Sequence, residues 1–180
     1  MKLEPQIEEL YRMLDRELID ELWKNDPEMQ QLAQQYDERP VNRILSRKIN
    51  EFDNSIPHNV AQRQFDMIRQ IADSGESAIF VGRCADYALA GRPGLLRIFC
   101  RADLSLRIRR IEQRHNLSKK KAALLVAKTD RHRRVYYHHH TGQFWGHSSC
   151  YDLTVNTGVL GVEKTAETME AFIRTFWEQD

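Results

Sequence analysis

No glycine precedes Gly75, the first of eight in the chain. That removes from the first part of the sequence the left-handed turns that let backbone N–H groups close around a phosphate chain. The motif G-x-x-x-x-G-K-[ST] is absent throughout, and Gly91-Arg92-Pro93-Gly94 is too short and wrongly placed to replace it. Cysteine is also scarce: Cys84, Cys100 and Cys150 are widely spaced, with no C-x-x-C pair. This argues against a disulfide frame or a zinc site and for reduced thiols in a cytosol. Cys84 and Cys100 sit in apolar surroundings and are expected to be small core residues. No run approaches the roughly eighteen apolar residues of a membrane span. The acidic start, Met-Lys-Leu-Glu-Pro-Gln-Ile-Glu-Glu-Leu, has no apolar signal core. A cytoplasmic protein is expected.

What is present suits one globular domain. The chain has 180 residues, 41% hydrophobic and 29% charged, enough for one real core and too few for two comfortable ones. The net charge of +1 hides a division along the chain. Residues 101–134 hold twelve basic and three acidic side chains, a balance of +9, whereas residues 1–40 hold eleven acids and five bases, a balance of −6. Such a field draws an anion to one region without making the whole surface sticky.

Hydrophobic spacing organises the elements. Ile7, Leu10, Tyr11, Leu14, Leu18 and Leu22 recur at helical intervals and predict one helix, or two abutting ones, over 3–24. Asp26 and Pro27 read as the cap and first residue of a further helix reaching Leu32. Asn54-Ser55-Ile56-Pro57 reads as a loop, and Val60, Phe65, Ile68 and Ile71 predict a helix from His58 to Asp73, stopped at Ser74-Gly75. Then the pattern changes. Ala78-Ile79-Phe80-Val81 reads as a buried strand, Asp86–Ala90 as a short helix, and Leu95–Cys100 as a second strand. Asp103–Arg114 is an expected helix with Leu104, Ile108 and Ile111 inward. Ser118 caps another, over 118–128, with Ala122, Leu125 and Val126 inward. Leu153–Asn156 reads as a third strand. Val162–Trp177 reads as a terminal helix with Ala166, Met169, Phe172, Ile173 and Phe176 inward. Strands alternating with helices imply an α/β protein with a parallel sheet.

Lys128–Gly142 carries the densest chemistry. Arg131, Arg133 and Arg134 crowd around Asp130, and such guanidiniums repel one another unless an anion lies between them. On a helix Arg131 and Arg134 share a face and can grip one phosphate; a solvated basic helix end is the plainer alternative. Asp130 can simply pair with Arg133 or Arg134. His138-His139-His140 is not read as a metal site, because consecutive side chains diverge on any regular backbone. Phe144-Trp145 is expected to pack rather than to stack on a base.

Taken together, these segments resemble the cytidylate kinase-like proteins. Val81-Gly82-Arg83-Cys84-Ala85-Asp86-Tyr87 is similar to that family's strand-to-helix turn, and Arg107-Ile108-Arg109-Arg110 to the helix after its next strand. Lys128-Thr129-Asp130-Arg131, Tyr136-Tyr137, Thr141–Gly146 and Tyr151–Thr157 follow in the same order. Asp15–Ile19 and Tyr36–Pro40 resemble its early segments, so the likeness spans roughly residues 14–175.

The resemblance implies a helix-rich, three-layer P-loop kinase-like parallel sheet, incomplete at its N-terminus. It implies one domain over 1–180, with a helical segment at 1–57, a core at about 60–180 and a lid-like region at about 115–146. It also implies transfer of the ATP γ-phosphoryl group to a cytidine-type monophosphate with Mg²⁺. Arg83 and Asp86 would meet the acceptor nucleotide, and Arg107 and Arg110 match phosphate-contacting or lid-base positions. Asp130, Arg131 and Arg134 would close over the transferred group, where spread negative charge needs positioned cations. The family's glycine-rich loop has no counterpart in this sequence, so no ATP site is evident. Because the family's first strand is central, its loss should leave a gap between the strands at 78–82 and 95–100. Either residues before Met1 were lost, or the chain is a natural derivative; a second copy could then cover the gap. Two functions follow: a small-molecule nucleotide site, or a non-catalytic regulatory protein holding an anion or nucleic-acid backbone. Nucleic acid is the less expected partner.

Overall fold

The computed structural model describes residues 12–14, 27, 30, 31, 55–75 and 77–178. Tertiary contacts divide the chain into two compact units, 1–92 with 135–142 and 93–134 with 143–180.

The first unit is built on a helix and a strand pair. The helix α1 (Ser55–Asp73) begins three residues earlier than its apolar spacing indicates. Pro57 lies within its first turn, where a missing N–H costs no helical hydrogen bond, so the expected loop there is helix instead. Val60, Ala61, Gln64, Phe65 and Ile68 are buried, and the helix stops where Gly75 takes φ 81.

The strand β1 (Arg12–Leu14) pairs in parallel with β2 (Ala78–Phe80), Arg12 opposite Ala78 and Leu14 opposite Phe80. This corrects the helix expected over 3–24 at residues 12–14; the rest of that span lies outside the described residues. The backbone partners offered by β2 outweigh a local helical period that cannot exclude a three-residue strand. Residues 27, 30 and 31 are helical, in keeping with a helix opened by Pro27. The short helix α2 (Ala85–Ala88) packs under α1, and Arg69 Nε donates to the Ala88 carbonyl at 3.2 Å.

The second unit carries its own parallel pair, β3 (Ile98–Arg101) beside β4 (Leu153–Asn156), from Ile98 opposite Leu153 to Arg101 opposite Asn156. Among the described residues β2 and β3 lie in separate two-stranded sheets. Leu95 and Leu96 lie before β3, so the expected strand starts three residues late. The helix α3 (Leu104–His115) follows β3 and ends on Asn116 at φ 49, a left-handed position that asparagine tolerates. Leu104, expected inward, is exposed at the first turn.

The helix α4 (Lys119–Thr141) has 23 residues and continues through the segment expected to be separate from it. Its residues to Arg134 belong to the second unit and those from Val135 to the first. Ser118 Oγ accepts from Lys121 N at 3.4 Å, the expected cap, and Ala122 and Val126 are buried while Leu125 is not. A 3-10 turn (Ser148–Cys150) leads into β4, a four-residue helix α5 (Thr157–Leu160) leaves it, and α6 (Val162–Trp177) closes the chain with the expected ends. Phe172, expected inward on α6, is exposed.

Cys84 is buried as expected. Cys100 is exposed instead, with its Sγ 4.0 Å from Met169 Sδ. Trp145 packs edge-on against Phe99, whereas Phe144, expected to pack beside it, is 70% exposed. No helix among the described residues is long and apolar enough to cross a membrane.

Candidate functional site

The turn after β2 is the most strained backbone in the described chain. Gly82, Arg83 and Cys84 take φ 78, 56 and 52, three left-handed residues in succession. Only glycine enters that region freely, and each other residue costs on the order of 1–2 kcal/mol there. Surrounding structure therefore has to hold the turn. Arg83 is 4% exposed and Cys84 4%, so the strained residues are packed rather than displayed.

Strain of this kind collects where a side chain must be aimed. The carboxyl end of a β-strand, at the entry to a helix, is where α/β folds place ligands. Two residues on, in the first turn of α2, Asp86 Oδ2 accepts from Tyr137 Oη at 2.6 Å. Tyr137 is buried near the end of α4, and its own carbonyl accepts from Thr141 Oγ1 at 2.7 Å. The sequence places Arg83 and Asp86; the structure adds Tyr137 to them within the first unit.

In the second unit charged groups on α3 meet α4 and the carboxyl ends of β3 and β4. Arg107 Nη1 on α3 lies 2.8 Å from both carboxylate oxygens of Asp130 on α4. The Asp130 side chain is 16% exposed and that of Arg107 33%, so the pair is shielded on its acidic side. Burial strengthens the attraction but also makes either charge costly to leave alone. Arg107 Nε is buried with no hydrogen-bond partner among the described residues.

One turn along α3, Arg110 Nη1 reaches Thr157 Oγ1 at 3.4 Å, and Thr157 Oγ1 donates to the Arg101 carbonyl at 3.3 Å. Asn156 Oδ1 accepts from Gly158 N at 3.0 Å and caps α5. Arg131 and Arg134 are exposed on α4 and share a face there, three residues apart. Thr157 and Asn156 lie in a segment that carries the resemblance but were given no site role. Their signal is position: they end the last strand, where this class of fold builds sites.

Asp152 shows a different kind of chemistry. At the amino ends of β3 and β4, Arg97 donates to it through its backbone N (2.8 Å), Nε (3.0 Å) and Nη2 (2.7 Å). The guanidinium hydrogen bonds come first, and the backbone bond and charge attraction follow. Together they outweigh desolvation and hold the Asp152 carboxyl below the usual carboxylate range.

The histidines form aromatic contacts. The His140 ring lies 4.4 Å from that of Tyr136 and 6.0 Å from that of Phe65, centre to centre. Among the described residues no three His, Cys, Asp or Glu converge as metal ligands would.

These features define a helix-rich α/β protein with parallel strand pairs and basic side chains directed to strand ends. A model of the cytidylate kinase-like family matches residues 8–159, and the chain belongs to that family. Among solved structures, it is similar to an uncharacterized protein from Eubacterium ventriosum. The two are 30% identical, the match covers 65% of this chain and 73% of that one, and the TM-score is 0.63. No curated protein matches.

The family implies ATP and Mg²⁺, but the turn after β2 does not fit a triphosphate. The turn after β2 is opened by a single glycine followed by buried Arg83 and Cys84, and no acidic cluster accompanies it. A triphosphate cradle needs successive small residues with N–H groups turned outward.

Proposed function

We propose that this protein binds a cytidine-type nucleoside monophosphate. In this reading Arg83 and Asp86 recognise the nucleotide, and Arg107 and Arg110 serve phosphate in their own unit. Arg131 and Arg134 are lid arginines. The observation that carries the reading is the Gly82–Arg83–Cys84 turn, a strained backbone that fixes a buried arginine at a strand end.

Asp130, given a catalytic role by resemblance, is engaged by Arg107, which supports a role in holding that arginine in place. Arg131 and Arg134 supply cations where phosphoryl transfer from ATP would place negative charge, and that step belongs to the reading only if an ATP site completes it. A homodimer is compatible with the same assignments.

Thermal shift at low salt with millimolar CMP, UMP, AMP and ATP tests the proposal. CMP is expected to stabilise the protein more than AMP, since a ligand at about a hundred times its Kd adds about 2.7 kcal/mol. Arg83→Ala is expected to abolish the difference while leaving the protein folded. No shift with any of the four would sink the nucleotide reading.

A further inference from the structure

We infer that Tyr137 is a positioning residue that sets nucleotide selectivity by fixing the carboxylate of Asp86. The inference rests on the nucleotide reading above and extends it to a residue to which neither the sequence nor the resemblance gave a role.

The hydrogen bond is short, 2.6 Å from Tyr137 Oη to Asp86 Oδ2, as expected of a phenol donating to a carboxylate. It spans 51 residues of sequence and so depends on the tertiary fold. Its two ends are unlike in exposure. Tyr137 is 5% exposed, whereas Asp86 is only half-buried, so the donor is locked in the interior and the acceptor faces outward.

An ionised carboxylate has about four lone-pair sites. Tyr137 occupies one of them on Oδ2 and thereby fixes the rotation of the group. Oδ1 is left for a donor on a ligand, such as an exocyclic amine or a ribose hydroxyl. A carboxylate on a four-residue helix that follows a strained turn has few other restraints. The buried phenol supplies a rigid one.

Tyr137 is itself well anchored. Thr141 Oγ1 donates to its carbonyl, and its neighbour Tyr136 is buried beside His140, which meets Phe65 of α1. The same helix carries Arg131 and Arg134 six and three residues earlier, on a continuous backbone.

The test compares wild type, Tyr137→Phe, Asp86→Asn and the double variant by calorimetric titration with CMP, AMP and inorganic phosphate. Unfolding midpoints are measured in parallel. Phenylalanine keeps the ring packing and removes only the hydroxyl. Tyr137→Phe is expected to weaken CMP binding about tenfold, the usual worth of one hydrogen bond to a charged group, and to erase the preference over AMP. Inorganic phosphate affinity is expected to stay within about twofold, which a merely structural loss would not allow. The double variant should bind CMP no more weakly than Asp86→Asn alone.

Unchanged CMP affinity and preference in Tyr137→Phe would overturn the inference alone, as would additive losses in the double variant. A wild-type protein that binds no nucleotide would overturn the nucleotide reading and this inference with it.

Discussion

Arg97 and Asp152 tie the amino ends of two parallel strands with three hydrogen bonds, and the chemistry of that pair sets a pH dependence. The carboxyl is held below its ordinary range, so the folded state binds its proton less readily than the unfolded chain does. The stabilisation is therefore present above the unfolded pKa, about 3.9, and is lost as pH falls through the lower folded value. Both side chains are 33% exposed, so solvent screens much of the attraction. Asp152→Asn is expected to cost about 1 kcal/mol near neutral pH, read as a lower urea midpoint, with the gap to wild type closing as pH falls below the usual carboxylate range. A gap that persists in acid would assign the effect to packing instead. At this scale Arg83 was legible, because a strand, a glycine and a polar residue in sequence mark a strand-end turn. The phenol that holds Asp86 was not, because its partner lies 51 residues away and local periodicity carries no such information.

Between elements, Arg107 and Asp130 join α3 to α4 through a bond that sequence spacing assigned elsewhere. Asp130 lay within reach of Arg133 and Arg134 on its own helix, yet the structure directs both its oxygens across to another. If that link is what Asp130 does, Asp130→Ala leaves a part-buried guanidinium without its anion. A loss of about 1–2 kcal/mol is expected, lowering the thermal midpoint by on the order of 4 °C. A variant that keeps the wild-type midpoint would return Asp130 to a purely chemical role.

The elements themselves were unequally legible. β4 and α6 have the ends read from their patterns, since each is bounded by turn residues and has one unambiguous period. The continuity of α4 was missed because its apolar stripe fades after Val126, although no glycine or proline interrupts it. A helix needs no stripe where breakers are absent and its neighbours support it. β1 was missed for the opposite reason, a helical period running through residues that the edge of β2 recruits as a strand.

For the whole molecule, charge is the property that reaches furthest. The +9 of residues 101–134 and the −6 of residues 1–40 favour anions in one region, but the field does not say which anion. Salt dependence separates the candidates. CMP engages few cations, and its affinity is expected to fall less than about tenfold between 50 and 200 mM salt, whereas a polyanion bound through six or more phosphates should lose about a thousandfold or more. A single-stranded oligonucleotide that outcompetes CMP at 150 mM salt would replace the nucleotide reading with a backbone-binding one.

The sequence by itself determined the α/β alternation, the family and the basic segment, because each is a matter of local pattern, residue order and composition. Only the tertiary structure decided that the described strands form two separate parallel pairs, that Arg83 is buried on a left-handed turn, and that Asp130 and Asp86 are held by Arg107 and Tyr137. Those outcomes depend on which distant backbone edges and side chains meet, and that is set by packing between segments rather than by any period within one.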